Sequence, residues 1–518
     1  MTVFSLLELP EELIVVRFCS HAYAAAIDQA SLELAHIIEN TIELRYLLEL
    51  GLAGMIDGPP GPSTVRDRLQ ALRECKTSWS AGKRVEDTEM LSVERAPAPF
   101  YGLAKREEVI EGIRDGSAPL VSHQYAIDYN QDLFAYIWDM QASEEGIFPK
   151  CSFASLSHRY EQHPLAARLA FMVCLPVKDR GATIDLRCCG DLIEWTTSCI
   201  GHESEELVER KDMILLNWKT GVIVWHMHGT RQQQFCVISS TQLVVIDSDG
   251  SNRCALRLYS FDLSATIDCP PMTDSDCQCV LALPMCTDGV YERDIVAKFE
   301  PQPNLAPDDK PFFSPDPDVS LLVLRIYLWQ PDERNYDEDK MDWRYPYAEL
   351  FLLMVPLETL ISCTSERRES LRGTVVPWQD WGPGGTRMVS MDFETWNTDE
   401  SVFGSRVALY EYTFAPWSKD EDVGIYTLYE VHKLANESVP VNAELGDDEE
   451  RPIPMGVTPG SAHSAGQHEV RGGIIKSDDD WITDVRGWAE PIHTTFPFRK
   501  TVKVIRSPRD NSDQIHLI

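Results

Sequence analysis

The stretch that decides the fold is Met213-Ile-Leu-Leu-Asn-Trp-Lys-Thr-Gly-Val-Ile-Val-Trp225. Its two runs of aliphatic and aromatic residues have the composition of β-strands. Between them lies Lys219-Thr-Gly221, and a short interruption that contains glycine is typical of a hairpin loop. The segment therefore predicts two adjacent antiparallel strands.

Similar runs recur from about residue 95 onward. Further strands are predicted at Ala126–Trp138, Asp191–Trp195, Phe235–Ile238, Gln242–Asp247, Cys254–Leu263, Ser320–Trp329, Leu350–Pro356, Arg406–Thr413 and Gly424–Leu434. Trp225 and Phe261 end two similar strands, and their separation is close to the roughly 40 residues of one four-stranded propeller blade. Residues 95–518 are thus predicted to form a large β-rich, propeller-like domain, with room for about six to eight blades. Another large β-rich domain, or two sandwiches, is the alternative.

The first 80 residues have a helical character instead. Between Leu32 and Ala53, apolar residues recur at helical spacing, namely Ile38, Ile42, Tyr46, Leu50 and Ala53. The breaker Asp57-Gly-Pro-Pro-Gly-Pro-Ser63 ends this segment. Ser63 or Thr64 can cap a second helix, and Asp67 stands where it would complete a capping box. One face of that helix would carry Leu69, Leu72 and Trp79.

These patterns predict an α+β multidomain chain. A small helical module would occupy residues 1–56, and a breaker, a connecting helix and a linker would occupy residues 57–94. The β-rich domain would then take residues 95–518, with an insertion at 442–473 that is acidic at first and then rich in Pro, Gly, Ser and His. Because this insertion has few large apolar residues to bury, we expect a disordered surface loop. An acidic interaction segment is the alternative.

Composition and charge narrow the possible partners. The 518 residues include 47 Lys and Arg against 82 Asp and Glu, a formal net charge of −35 at pH 7. Nucleic acids and anionic membranes bind basic surfaces, so neither is an expected partner. We find no apolar run of the about 18 residues that a membrane span needs and no secretory signal. The 14 cysteines are scattered, which favours a reducing compartment, the cytoplasm or the nucleus.

Sequence motifs for catalysis are absent. The chain has no G-x-S-x-G elbow, phosphate loop, dinucleotide fingerprint or H-E-x-x-H. His226 and His228 share one face of a strand and could bind a metal, but no carboxylate or third histidine is adjacent in sequence, so we interpret them as structural. Cys277 and Cys279 could form a redox pair, but the flanking acidic residues would raise the thiol pKa values, so inert thiols are expected. The sequence predicts a non-enzyme with no catalytic residue, cofactor or metal.

The N-terminus carries the most informative motif. Ser5-Leu-Leu-Glu-Leu-Pro-Glu-Glu-Leu-Ile14 resembles the opening of an F-box. Residues 42–60 resemble the segment that follows the F-box in a large group of mushroom-forming fungal (basidiomycete) F-box proteins. In that group a helix leads to a glycine-aspartate-glycine-proline turn and then to a second helix that ends near a tryptophan, as Asp57–Pro60 and Trp79 do here. The hairpin at Asn217–Gly221 also resembles their β-rich C-terminal region.

This resemblance implies a substrate receptor of a Skp–cullin–F-box ubiquitin ligase. In such a receptor the F-box docks on the Skp linker subunit, and the rest of the chain captures a protein target for ubiquitin-dependent degradation. Docking would fall on Leu9, Pro10, Glu11, Leu13 and Ile14, where proline opens a helix and the aliphatic side chains offer an apolar patch.

The module departs from the family pattern in its middle. Residues 17–26 stand where an F-box has an aliphatic-Asp-Leu element and a Val-Cys-basic element, so the module is several residues short. Two other functions are therefore alternatives to that of a receptor. One is a scaffold that has lost its ligase attachment, and the other is an enzyme with its site in a propeller channel.

Limited proteolysis tests the predicted organisation. We expect the first cut within residues 442–473 and a second near residues 80–95, because exposed segments that bury little apolar surface are cleaved first. Mass spectrometry of the early fragments locates both cuts. If residues 442–473 resist protease as well as the strands do, the interpretation of this segment as a surface insertion is wrong.

Overall fold

The described part of the chain is mostly β-sheet. The computed structural model describes residues 40–81 apart from residue 59, most of residues 125–432 with gaps between elements, and residues 481–482, 488–490 and 492–508. The α-helices in these parts are α1 (Ile42–Leu52), α2 (Val65–Ala81), α3 (Leu357–Ser365) and α4 (Trp378–Gly385). No helix among these residues is both long enough and apolar enough to cross a membrane.

The two N-terminal helices follow the sequence pattern. Tyr46 and Leu50 are the buried residues of α1, and Leu69 and Leu72 are buried in α2. The predicted capping box is present, since the N–H of Thr64 donates to Asp67 Oδ2 at 3.0 Å and the N–H of Asp67 donates to Thr64 Oγ1 at 3.3 Å. Between the helices lies a short strand, β1 (Met55–Asp57).

Within the described residues, the longer strands form five antiparallel groups of four, which follow one another along the chain and are here called sheets 1 to 5. Sheet 1 contains β2 (Tyr125–Asp128), β3 (Leu133–Ala142), β4 (Ile147–Ser155) and β5 (Ala170–Met172). Sheet 2 contains β6 (Thr183–Cys189), β7 (Leu192–Glu203), β8 (Glu206–Asn217) and β9 (Val222–Gly229).

The next three sheets take strands from longer stretches of chain. Sheet 3 contains β10 (Gln232–Val237), β11 (Gln242–Ser248), β12 (Cys254–Ser260) and β13 (Cys279–Ala282), and β20 (Val375–Val376) adds to β13 in parallel. Sheet 4 contains β14 (Tyr291–Lys298), β16 (Leu321–Trp329), β19 (Ala348–Pro356) and β21 (Arg387–Met391). Sheet 5 contains β22 (Thr398–Phe403), β23 (Arg406–Thr413), β24 (Glu421–Glu430) and β27 (Arg499–Pro508).

The described residues also contain three pairs of short strands. They are β1 with β15 (Phe313–Pro315), β17 (Tyr336–Asp337) with β18 (Asp342–Trp343), and β25 (Trp481–Ile482) with β26 (Ile492–His493).

The hairpin predicted around Lys219-Thr-Gly221 is confirmed. Strands β8 and β9 pair across it, and Asn217 Oδ1 accepts the N–H groups of Lys219 and Thr220, both at 3.1 Å. Gly221 has φ +70°, a left-handed conformation that glycine adopts without steric cost. The local sequence thus sets the loop and the register of the residue pairs next to it, Asn217 with Val222 and Leu216 with Ile223.

Neighbouring sheets pack face to face in chain order. One apolar cluster joins sheets 1 and 2, another joins sheets 2 and 3, and two more join sheets 3 and 4 and sheets 4 and 5. Because side chains alternate along a strand, the same strand serves both clusters. In β8, Ile214 and Leu216 face sheet 1, whereas Met213 and Leu215 face sheet 3.

The α1–β1–α2 segment is built into this stack. Strand β1 pairs with β15, which directly precedes sheet 4 strand β16. The hydroxyl of Tyr46 donates to Asp57 Oδ1 at 2.7 Å, and Arg68 Nη1 donates to the same oxygen at 2.6 Å. Phe313 and Phe403 complete the apolar cluster beneath the two helices. The proposed domain boundary after residue 56 therefore falls inside a strand that pairs with the β-rich part.

Gly54 offers a test of this packing. It has φ +63°, and a Cβ there would stand 2.5 Å from Oγ of Ser405, in the turn between β22 and β23 of sheet 5. Gly373 has a similar φ of +73°, and a Cβ added to it would meet nothing within 4 Å. We expect Gly373→Ala to cost about 1–2 kcal/mol for the backbone conformation alone, and Gly54→Ala to cost more because of the added clash. Urea denaturation of both variants measures the difference. Equal losses would show that Gly54 is not closely packed against sheet 5.

Candidate functional site

The predicted docking residues Leu9, Pro10, Glu11, Leu13 and Ile14 lie outside the described residues, as do residues 17–26 and 442–473. Among the described residues, two groups of titratable side chains are the main candidates for a functional site. The central cluster consists of Arg187, Glu194 and Cys236, and the His–Asp cluster consists of Asp212, His226 and His228.

The central cluster lies where the first strands of several sheets meet. Strand β2 lies beside β6, and β10 lies beside β14. The N–H of Ala297 in β14 donates to Gln234 Oε1 at 2.6 Å, and its carbonyl oxygen accepts Arg187 Nη1 at 3.1 Å. Side chains of β10 and β6 thus satisfy backbone groups at the edge of sheet 4, which would otherwise be an unpaired sheet edge.

Glu194 is the buried carboxyl group of the central cluster. Glu194 is only 7% exposed. It stands opposite Arg187 in the pairing of β6 with β7, and its Oε1 atom accepts the N–H of Val237 at 2.7 Å. Burial raises the pKa of Glu194 to about 7, against the opposing effects of the Arg187 charge and the Val237 hydrogen bond. Shifted carboxyl groups occur at catalytic sites and also in structural ion networks. The contacts of Glu194 join sheet 2 to sheet 3, so they favour a structural role.

The His–Asp cluster lies on the hairpin that decides the fold. His228 in β9 stands directly opposite Asp212 in β8, and His226 is two residues away on the same face of β9. Asp212 Oδ1 contacts His228 Nδ1 and lies 3.6 Å from His226 Nε2. The ring centroids of the two histidines are 4.3 Å apart. Three potential metal ligands are thereby brought together.

Asp212 was not among the possible metal ligands predicted from the sequence, because it is not adjacent to His226 or His228 along the chain. The signal that could have found it is the hairpin register, since the loop at Lys219–Gly221 determines which residue of β8 faces His228. One β-bulge shifts that register by one residue, because Val224 of β9 is an extra residue opposite the step from Leu215 to Leu216. Counting from the loop without the bulge would have placed the wrong residue opposite His228.

The surroundings of Cys277 do not favour redox chemistry with Cys279. Cys277 is buried, and its Sγ donates to the carbonyl oxygens of Cys279 and Leu258 at 3.0 and 3.4 Å. Burial raises the pKa of Cys277 to about 11, so the thiolate needed for reaction is scarce at neutral pH. The direction is the one expected from the sequence, but its main cause is burial rather than the nearby carboxylates.

Comparisons with known proteins give little information about the fold or the function of this chain. No known protein family matches the chain. No curated protein matches it either. Among solved structures, the WD40 domain of SCAP from fission yeast matches with 6% identity and a TM-score of 0.25, covering 60% of this chain and 74% of that chain. The β-propeller domain of the Trilobed protease from Pyrococcus furiosus matches with 9% identity and a TM-score of 0.22, covering 60% of this chain and 94% of that chain. Similarity at these TM-scores is too slight to define the fold.

The raised pKa of Glu194 predicts a dependence of stability on pH. The folded state holds this proton more tightly than the unfolded state, so the free energy of unfolding falls as pH rises from about 4.5 to about 7. Glu194→Gln removes this loss and keeps an acceptor for Val237. Relative to the wild type, the variant should gain up to about 3 kcal/mol across that interval, measured by urea denaturation at several pH values.

Asp185→Asn is the matched control, because Asp185 is an exposed carboxylate beside Arg187 and its charge affects the pKa of Glu194 less than burial, the Arg187 charge or the Val237 hydrogen bond does. Its difference from the wild type should vary less with pH than that of Glu194→Gln. If the Glu194→Gln difference is independent of pH, Glu194 is not held protonated near neutrality.

Proposed function

We propose that this chain is a non-catalytic, protein-binding adaptor, and that it serves as an F-box substrate receptor of a Skp–cullin–F-box ubiquitin ligase. The segment that contains Leu9, Pro10, Glu11, Leu13 and Ile14 would dock on the Skp subunit. The β-rich part, which we propose to be propeller-like, would capture the protein target. The proposal of an F-box rests on the resemblance in the N-terminal sequence.

The observation that best supports this proposal is the rigid attachment of α1 and α2 to the β-rich part. A receptor must hold its target at a defined position relative to the ligase, and a flexible connection would lower the effective concentration of the target there. Here β1 pairs with β15, and the side chains of Tyr46, Asp57 and Arg68 form a hydrogen-bonded group beside that pair. The segment from residue 40 onward and the β-rich part would thus form one platform, which residues 15–39 connect to the proposed docking residues.

The arrangement of the sheets supports the propeller-like part of the proposal. Each sheet is a group of four antiparallel strands, and the first strand of each is an edge strand. Consecutive sheets pack face to face, and the edges at β2, β6, β10 and β14 lie beside one another in pairs. Blades of a propeller are stacked in this way around their first strands. Such domains present loops at both ends of the stack for binding partners.

A Skp pull-down tests the proposed function. Full-length wild type should retain purified Skp subunit, and the double variant Leu9→Ala with Pro10→Ala should lose detectable binding. Removing one large aliphatic anchor costs about 2 kcal/mol, or roughly thirtyfold in affinity. Insertion of an aliphatic-Asp-Leu element in residues 17–26 should strengthen binding, because it restores the part of the module that is short.

The chain offers a matched control for this pull-down. Pro164 and Leu165 are adjacent, and Leu165 is 58% exposed in the β-rich part, so Pro164→Ala with Leu165→Ala changes the same residue types elsewhere. This control should bind as the wild type does. If wild type, double variant and control bind equally, Leu9 and Pro10 are not the docking site. If none binds, including the chain with the inserted element, the scaffold without ligase attachment replaces the receptor.

A further inference from the structure

We propose that Asp212, His226 and His228 form a binding site for a divalent transition-metal ion, such as Zn²⁺, on the hairpin of β8 and β9. This inference is independent of the proposed adaptor function. It rests on the placement of the three side chains, on an unsatisfied nitrogen within the cluster and on the chemistry of the donor set.

The placement of the donors suits a single ion. One ligand atom from each residue, two imidazole nitrogens and one carboxylate oxygen, lies within 4.8 Å of the others. Donors on one zinc ion stand about 2.0–2.2 Å from the metal in tetrahedral directions, which separates them from each other by about 3.3 Å. His226 Nε2 and Asp212 Oδ1 are already 3.6 Å apart. A small rotation of the more exposed His228 side chain brings the third donor into the same range.

The backbone beneath the cluster is fixed on both sides. Strands β8 and β9 pair from Lys211 to Asn217, and the carbonyl oxygen of His226 accepts the N–H of Met272 at 2.7 Å from a third segment. The Cα positions of the ligands are therefore held before any ion binds, and only side chains need to adjust. A site preorganised in this way loses little conformational entropy on binding.

His226 provides a second, independent observation. Its Nε2 atom is buried and has no hydrogen-bond partner within the described residues. Buried polar atoms without a partner are uncommon in folded proteins, and a bound ion is one of the recognised explanations. This nitrogen lies 3.6 Å from the same carboxylate oxygen that contacts His228, so an ion between the three groups would satisfy it.

The donor set and its exposure define the ligand class. Two imidazoles and one carboxylate suit zinc and also ferrous iron, and do not suit the all-oxygen preferences of calcium or magnesium. The side chains of Asp212 and His226 are 11% and 15% exposed, whereas that of His228 is 54% exposed. Solvent thus has access from the His228 side, and water or a donor from a bound protein can complete the coordination. The ion would fasten β8 to β9 at the outer edge of sheet 2.

Metal binding by the full-length chain is the test. Protein stripped with a chelator is dialysed against Zn²⁺ and, in a separate anaerobic arm, against Fe²⁺, and bound metal is counted by atomic emission. We expect one ion per chain in at least one arm. His228→Gln and Asp212→Asn should each weaken binding more than about tenfold, because loss of outer-shell partners alone costs 10- to 100-fold. Bound ion should also raise the melting temperature of the wild type and not of His228→Gln.

His158→Gln is the matched control. The side chain of His158 is 69% exposed and lies 3.9 Å from the carboxylate of Asp132. Among the described residues, this pair belongs to no group of three clustered metal-ligating side chains. This variant should bind metal as the wild type does. Because His228 is half exposed, its variant should fold normally, which near-UV circular dichroism verifies.

Three results would overturn the proposal. The wild type could bind neither ion, His228→Gln could bind as tightly as the wild type, or the Co²⁺-substituted protein could show the charge-transfer absorption of thiolate ligands. The last result would assign the ion to cysteines, since the proposed site contains no sulfur ligand.

Discussion

Each of the five larger sheets in the described part of the chain carries apolar side chains on both faces, and this constraint governs the rest of the structure. A four-stranded sheet with two apolar faces is unstable alone, because both faces would be exposed to water, and a single neighbouring sheet would cover only one of them. Sheets 2, 3 and 4 each contribute to two apolar clusters, one shared with the preceding sheet and one with the following sheet. The chain satisfies the constraint by stacking the sheets in the order in which they are made.

The end of the stack requires a different solution. Sheet 5 faces sheet 4 on one side, and on its other face Ala408, Tyr426 and Leu428 are buried as well. Arg406 and Arg499 both donate to Glu430 on that face, at 3.1 and 2.5 Å. Burial by itself would raise the pKa of Glu430, but the two arginines hold it below its usual value. Lys76 of α2 lies close enough to interact with this group, so the N-terminal helices and sheet 5 belong to one packed unit.

The parts that the sequence predicts are those with local causes. The hairpin at Lys219–Gly221 and the capping box of Thr64 and Asp67 depend on residues within one turn, and both are present as expected. The pairing of β1 with β15 could not be predicted, because three residues of each strand match across a long chain separation and carry no distinctive pattern. Asp212 is an intermediate case between the local features and the long-range strand pairing. Its place beside His228 follows from the hairpin register, but only if the bulge at Val224 of β9 is known.

Native-state hydrogen exchange tests most directly whether the N-terminal helices and the β-rich part form one unit. The informative amides are those of Gly58 and Asp316, which bond to Phe312 and Gly54 across the junction at 2.9 Å each. We predict that both exchange with the same opening free energy as the central amides of β23, such as that of Leu409, and with the same dependence on denaturant. If Gly58 and Asp316 exchange much faster than Leu409 and independently of denaturant, the helices open separately from sheet 5, and the rigid attachment on which the proposed adaptor depends is absent.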